Sequence, residues 1–302
     1  MSSTLVTGGM GYIGRIIVKQ LAEQGQHVVT YDRDYSDARS SSITAVQGEL
    51  YDLPRLIRTF EKHDVDRIIH TAAMSHPDLS VELPMTTVVA NIDGTVSLFE
   101  AMRIGGVKRV VQFSSETVYG HHYGPIDEAS PTWPTTPYGV TKVAVEHFGR
   151  VYRDLYGLNI ISLRVSEVYG PGNRMPQVLR DMLKTILRNR PFRMVSGGDH
   201  LFHFVHADDV ARVAILASRS ENLESSIFNV FGDRPWRLAD AARLVKKLLP
   251  DANIEIGNGY CQLDRQGPWS QDAARRELGY VPQHDLESGL TSYIDWLRTH
   301  ED

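Results

Sequence analysis

The segment Thr7-Gly8-Gly9-Met10-Gly11-Tyr12-Ile13-Gly14 constrains this chain more than any other stretch. It leaves a β-prone run at 4–7 and opens an amphipathic run at 15–24, where Ile16, Ile17, Val18 and Leu21 are apolar. Glycines at 8, 11 and 14 let a backbone turn tightly, approach a pyrophosphate, and pack helix on strand. The free amides and positive dipole end of the helix then face the phosphates. Asp32 ends the next strand, 18 residues after Gly14. A carboxylate there accepts hydrogen bonds from an adenosine ribose diol. Its charge opposes a 2′-phosphate, so NAD is expected and NADP disfavoured, a preference that the adjoining Arg33 softens.

The rest of the first half keeps the same rhythm. Further β-rich runs at 27–31, 45–46, 67–71, 110–114 and 160–164 alternate with helical periods at 53–62, 90–104 and 138–156. Such alternation gives βαβ units, a doubly wound parallel sheet and therefore an α/β fold of Rossmann type. Ligands bind such sheets at the carboxyl ends of their strands. After residue 165 the rhythm changes. Gly170-Pro171-Gly172 and Ser196-Gly197-Gly198-Asp199 mark loops among short helical segments at 178–189, 207–218, 238–249, 272–278 and 286–299. Residues 1–165 are expected to form the dinucleotide domain and 166–302 mainly a smaller α/β substrate lobe, with 227–230 returning to the sheet.

Composition removes other classes. The 302 residues carry a net charge of −5 and no basic block, a poor basis for gripping nucleic acid or an anionic membrane. No stretch approaches the ~20 apolar residues of a membrane helix, and the first residues lack the basic and apolar regions of a signal peptide. A cytoplasmic location is expected. Cys261 is the single cysteine, which excludes an intrachain disulfide and a multi-thiolate zinc site. His200, His203 and His206 are spaced on a strand so that neighbours in the set point to opposite faces, and the outer two stand ~20 Å apart. No metal is expected.

Tyr138-Gly139-Val140-Thr141-Lys142 opens a long helix. Residues four apart share a helical face, so the Lys142 ammonium sits near the Tyr138 hydroxyl. A tyrosine titrates near ~10, too high for a base at neutral pH, and lowering it by about three pH units needs about 4 kcal/mol. A nearby cation and an oxidised nicotinamide both favour the tyrosinate. Phe113-Ser114-Ser115-Glu116-Thr117-Val118-Tyr119-Gly120 leaves a strand at its carboxyl end, where the Ser115 hydroxyl can hold a reacting alcohol or carbonyl oxygen. Tyr-x-x-x-Lys alone is common on helix surfaces; its weight comes from occurring in order with the glycine turn and the serine segment.

With these marks, the chain resembles the extended short-chain dehydrogenase/reductase family, in its NAD-dependent epimerase/dehydratase branch. The likeness runs from Thr7 to about residue 215 and includes His70-Thr71-Ala72-Ala73, Asn91-Ile92-Asp93-Gly94-Thr95, Leu163-Arg164 through Tyr169-Gly170-Pro171-Gly172, and Phe204-Val205-His206-Ala207-Asp208-Asp209-Val210. The resemblance implies that Tyr12, Ile13 and Asp32 contact the dinucleotide. It places Glu49 and Leu50 beside adenine, where the family more often has Asp, and makes Thr71, Ala72, Ala73 and Asn91 line the cofactor. It makes Tyr138 the acid/base, gives Lys142 the nicotinamide ribose, and has Ser115 orient the substrate oxygen. It also implies a homodimer built on the helices that begin near Asn91 and Tyr138, with Val96, Phe99, Val143, Phe148 and Val151 as apolar candidates.

Three departures concern the substrate. Family members acting on nucleotide-sugars usually carry Asn where this chain has Glu167, Arg where it has Phe202, and Arg-x-Gly-Asp where it has Arg265-Gln266-Gly267-Pro268. A carboxylate facing a diphosphate costs free energy, and a phenylalanine cannot neutralise one. The expectation is therefore an NAD-dependent oxidoreductase moving a hydride between the nicotinamide and a secondary hydroxyl of a sugar, sugar acid or similar polyol without a nucleotide. The alternatives are a nucleotide-sugar 4-epimerase with an altered diphosphate site, and an NAD-sensing module without turnover. Glu116 stands where sugar-nucleotide dehydratases of the family carry the first acid of an Asp-Glu pair, but Thr117 replaces the second. Ser75, His76, Glu116, Glu167 and Arg174 are the candidate substrate contacts.

Overall fold

The computed structural model describes residues 2–34 and 41–300. Its strands are β1 (Ser3–Thr7), β2 (Val28–Asp32), β3 (Ile43–Gln47), β4 (Val65–His70), β5 (Arg109–Ser115), β6 (Asn159–Val165), β7 (Glu167–Tyr169), β8 (Phe192–Met194), β9 (Leu201–Phe202), β10 (Phe204–His206), β11 (Ile227–Val230), β12 (Trp236–Arg237) and β13 (Ile254–Ile256). Seven of them form a parallel sheet in the order β11-β6-β5-β4-β1-β2-β3. The helices are α1 (Tyr12–Glu23), α2 (Leu53–Lys62), α3 (Pro77–Glu82), α4 (Pro84–Val88), α5 (Gly94–Gly105), α6 (Pro137–Tyr156), α7 (Val178–Leu187), α8 (Ala207–Arg219), α9 (Leu238–Leu248), α10 (Asp272–Leu278) and α11 (Leu286–Thr299). The chain leaves β1 towards β2 and later returns to β1's other side with β4, so the strand order reverses there. A crevice for a ligand opens at the carboxyl ends of strands at such a point.

Successive strand residues point to opposite faces, and both faces are covered. Leu5, Ile68, Val110 and Ile160 pack with Leu56 and Phe60 of α2 and Leu98, Phe99 and Met102 of α5. Val6, Ile69, Val111 and Ile161 pack with Ile17 and Leu21 of α1 and with Val210, Val213 and Ala214 of α8. Burial of each such side chain contributes roughly 1.5–3 kcal/mol.

The division expected at residue 165 is crossed repeatedly. β11 extends the main sheet, α8 lies against α1, and Ala274, Leu278 and Tyr280 close the same core. The second lobe keeps its own core of Leu179, Met182 and Leu183 from α7, Leu238 and Val245 from α9, and Leu290 and Tyr293 from α11. The run read as one helix at 90–104 is instead a π-helical turn (Val89–Asp93), which follows α4 directly, and then α5. The wide turn carries Asn91, whose side chain accepts from Met74 N (2.8 Å) and donates to Met74 O (3.1 Å) and Thr141 Oγ1 (3.0 Å). Of the residues expected at a dimer surface, Phe99 is fully buried and Val143 packs against an inner cluster with Tyr119 and Trp269. Val96 is half-buried. Phe148 and Val151 are exposed, and they share one face of α6 with exposed Val140 and Leu155. Among the described residues, no helix is long and apolar enough to cross a membrane.

One buried ion pair ties α6 to the sheet. Arg164 of β6 forks onto Glu146 of α6 through Nε–Oε1 (2.9 Å) and Nη2–Oε2 (2.7 Å). Ser114 Oγ donates to the same carboxylate (2.5 Å), and Arg164 Nη1 donates to the Tyr119 hydroxyl (2.8 Å). Removing one partner of a buried pair strands the other charge, at about 3–5 kcal/mol. Arg164→Met should lower the unfolding free energy by that amount in urea titration, whereas replacing Arg164 and Glu146 together by apolar residues should cost much less.

Candidate active site

The glycine turn and the end of β4 meet across the crevice. Gly8 has φ +68°, and a Cβ there would lie 2.6 Å from Ala72 N. A Cβ on Gly14 would lie 2.1 Å from Gly8 O. Both positions therefore exclude a side chain for reasons of space, and α1 begins at Gly11 without a side-chain cap. Its first amides, at Tyr12 and Ile13, face the crevice end of the helix dipole. Asp32 accepts from Met10 N at Oδ2 (2.9 Å) and from Asp34 N at Oδ1 (3.1 Å). Each oxygen keeps a further lone-pair site for a ribose hydroxyl. These groups fit a dinucleotide: helix amides for the diphosphate and a fixed carboxylate for the ribose.

The other cofactor candidates surround this cradle. Thr71 Oγ1 donates to Thr7 O (2.8 Å), with Ala72 and Ala73 following at the cleft edge. Leu50 packs on Gly94. Glu49 is exposed and presents its carbonyl to the Tyr31 hydroxyl (3.0 Å). Asn91 is spent on Met74 and Thr141, so it shapes the cleft wall through them. His70 bridges Thr7 Oγ1 (2.6 Å) and Thr95 Oγ1 (3.0 Å), and burial pushes it down to about 3, a neutral brace. Tyr12 reaches the second lobe, its hydroxyl donating to Gly170 O (3.0 Å).

Ser115, Tyr138 and Lys142 converge where β5 ends. α6 starts at Thr136, whose hydroxyl accepts from Gly139 N (3.2 Å), and Ser80 Oγ accepts from Tyr138 N (3.0 Å). Gly139 lets the helix approach the serine segment, since a Cβ there would lie 2.7 Å from Thr117 O. The Ser115 hydroxyl acts on the Tyr138 phenol, pulling its pKa down. Thr117 donates to Ser115 Oγ from both N (3.2 Å) and Oγ1 (3.0 Å). Lys142 Nζ donates to Phe113 O (2.7 Å) and lies 5.4 Å from the Tyr138 ring centre.

The electrostatics differ from the sequence expectation. Burial pushes the Tyr138 phenol up to about 12, with Ser115 pulling it down and Glu116 pushing it up. Burial also pushes Lys142 down to about 8, against the pull of Glu146. The protein's own groups therefore hold Tyr138 protonated. Bringing it to neutral pH needs about 7 kcal/mol of added stabilisation of the anion, more than the sequence reading allowed.

The substrate candidates separate. His76 caps α3 by accepting from Leu79 N (3.3 Å), a structural role. Ser75 lies at the cleft edge against Met175 Sδ (3.8 Å), and Arg174 is exposed on the adjoining loop. Glu116, just past β5, and Glu167, the first residue of β7, act on each other, and burial holds both above the usual carboxylate range. Phe202 stacks on Phe204 (5.1 Å, 4°) inside the second lobe's core, so it does not face the cleft. The segment at 265–268 runs beside 122–126, with Arg265 over the Tyr260 ring (4.0 Å). Sequence reading missed Ser80, Thr117 and Gly139; only Gly139, a glycine in a helix's first turn, carried a signal.

The histidines regroup as well. His206, Asp208 and His284 each place a ligand-type atom within 4.8 Å of the others. The two rings stack at 4.0 Å and 22°, which points their lone pairs side by side instead of at one ion. His284 Nδ1 bonds Asp209 Oδ2 (3.1 Å), which raises His284 above the usual histidine range, while burial and His284 push His206 down to about 4.

The model of the "NAD dependent epimerase/dehydratase family" matches residues 4–231. A UDP-glucuronate 4-epimerase of Thermodesulfobacterium geofontis is 27% identical over 99% of this chain and 97% of its own length. The structure of MoeE5 with UDP-glucuronic acid and NAD superposes with a TM-score of 0.88, at 28% identity over 99% of both chains. The UDP-glucose 4-epimerase of Thermotoga maritima with UDP-glucose gives 0.87 at 25% identity, covering 98% of this chain and 99% of that one.

Tyr138→Phe should abolish turnover, a loss of at least ~1,000-fold on the scale of general acid–base catalysis, while NAD affinity by calorimetry changes little. Lys142→Met removes the cation nearest the phenol, so the rising limb of the kcat–pH profile should move to higher pH. An unmoved limb would separate Lys142 from the acidity of Tyr138.

Proposed function

The chain belongs to the NAD dependent epimerase/dehydratase family, and on that premise we propose that it is a nucleotide-sugar 4-epimerase. The observation that carries the reading is the convergence of Ser115, Tyr138 and Lys142 beside the glycine cradle. It occurs in a fold matched over its whole length by proteins named or solved with UDP-sugars. The expectation of a small substrate without a nucleotide gives way to this alternative. Its physical basis has weakened too. Phe202 belongs to a core, and Glu167, the first residue of β7, acts on Glu116 just past the end of β5. Neither position argues against a diphosphate elsewhere in the cleft.

Bound NAD supplies a reversible hydride acceptor. The chain's own groups do the rest. Ser115, held by Thr117, donates to the sugar oxygen; Tyr138 takes the hydroxyl proton and later returns it; Lys142 stabilises the phenolate. Epimerisation follows when the bound ketone turns its opposite face to the nicotinamide before the hydride returns. A sensing module without turnover would need none of this convergence. Elimination is the second reading, because two acids held above the usual carboxylate range by burial, Glu116 and Glu167, lie near the reacting groups.

Incubating the protein with UDP-glucose and catalytic NAD should yield an isomer of unchanged mass and no net NADH. A product lighter by one water would favour elimination. Net NADH from a free sugar acid, with no conversion of any nucleotide-sugar, would overturn the reading.

The exposed stripe of Val140, Phe148, Val151 and Leu155 on α6 supports a homodimer through this helix. Leu155→Glu with Val151→Glu should halve the mass seen by light scattering; an unchanged mass would place the interface elsewhere.

A further inference from the structure

Gln266 meets the turn after β5 from 150 residues further along the chain. Its Nε2 donates to the carbonyls of Glu116 (3.0 Å) and Gly120 (3.3 Å), and its Oε1 accepts from Trp269 Nε1 (3.1 Å). Both amide protons and the acceptor are therefore used. The two carbonyls mark the ends of one turn. Its 3₁₀ segment (Glu116–Val118) starts directly after Ser115, and Gly120 closes it at φ +58°. A Cβ on Gly120 would lie 2.0 Å from Trp133 O, in the lead to α6. Asp264 accepts from Thr135 Oγ1 (2.7 Å), next to the Thr136 cap of α6. One short segment thus holds the turn that carries Ser115 and the start of the helix that carries Tyr138. The segment is itself pinned. His122 N donates to Arg265 O (2.8 Å), Gly267 N to His122 O (2.8 Å), and Ile126 N to Pro268 O (2.9 Å). A Cβ on Gly267 would lie 2.1 Å from Gly124 O, so the two runs of backbone touch. Trp269 is buried edge-on against Tyr119 (5.2 Å, 77°).

We propose that Gln266 is a positioning residue for the reaction: it clasps the turn at both ends and so fixes the Ser115 hydroxyl relative to the Tyr138 phenol. The proposal rests on the epimerase reading for its assay and on the hydrogen bonds for its geometry. Ser115 lies one residue outside the clasp on extended backbone (φ −153°, ψ 156°), and its hydroxyl is tied forward to Thr117. A turn that shifts therefore carries the serine with it. Gly120 is buried, so without Gln266 its carbonyl must find another donor, and the turn moves to reach one. Reacting groups lose rate steeply on displacement, about 100-fold for a misplacement of ~1 Å.

Gln266→Met keeps the side chain's length and removes all three hydrogen bonds. In the NAD-loaded protein, kcat for UDP-glucose should fall ~10–100-fold. Affinities for NAD and UDP-glucose, measured by calorimetry with Tyr138→Phe added to stop turnover, should stay within a few-fold. Gln266→Asn, whose amide is one methylene too short to span both carbonyls, should show the same split and serves if the Met variant does not fold. Hydrogen exchange read by mass spectrometry over residues 113–121 should quicken ~10-fold in either variant, while the glycine turn at 8–14 keeps its rate. An unchanged kcat, or a loss shared equally by kcat and the two affinities, would overturn the positioning role. Unchanged exchange at 113–121 would overturn it whatever the substrate. A parent protein that leaves UDP-glucose unconverted, with exchange quickened in the variants, would refute the epimerase reading and keep the clasp.

Discussion

Tyr138 is buried, and burial holds its proton. The phenol is pushed up to about 12, yet a base at this position must lose that proton near neutral pH. The difference is about 7 kcal/mol, and much of the surrounding structure bears on it. Ser115 pulls the phenol's pKa down, and Thr117 fixes the serine by donating to it from both its amide and its hydroxyl. Lys142 stays within one helical turn and is fixed to Phe113 O. At about 8 it remains largely protonated at neutral pH despite its burial. The remaining cation is the one a bound oxidised nicotinamide brings, so the base becomes competent when the cofactor is in place.

That geometry depends on how closely α6 lies on the sheet. Gly139 permits the approach, Ser80 and Thr136 fix the first turn, and the Glu146–Arg164 pair holds the helix further along. On the other side, Tyr12 links α1 to Gly170, and Gly289 leaves room for Tyr169, where a Cβ would lie 2.0 Å from its hydroxyl. The cofactor turn and the second lobe are therefore mechanically connected.

Much of this was legible before the coordinates. The glycine turn, the alternating periods and the Tyr-x-x-x-Lys spacing are local patterns, and local patterns report the sheet, its helices and the pairing of Tyr138 with Lys142. What stayed hidden was non-local. Ser80 meets Tyr138 across 58 residues, and nothing in its neighbourhood marks it. Phe202 read as a lost cation because position alone cannot tell a core face from a cleft face on a strand of two residues. Across the boundary at 165 the sequence signalled one return, at 227–230, whereas the crossings by α8 and α10 leave no compositional mark. Glu116 was weighed against Thr117, its neighbour in sequence, while its partner in space is Glu167.

The account stands on the substrate's own hydrogen leaving as hydride and returning to the same carbon, with Tyr138 handling only the hydroxyl proton. UDP-glucose carrying deuterium at the reacting carbinol carbon tests this directly by NMR of the epimerised product. Full retention of deuterium at that carbon, with none released to water, is the result the account predicts. Exchange of the label with solvent during epimerisation would contradict it.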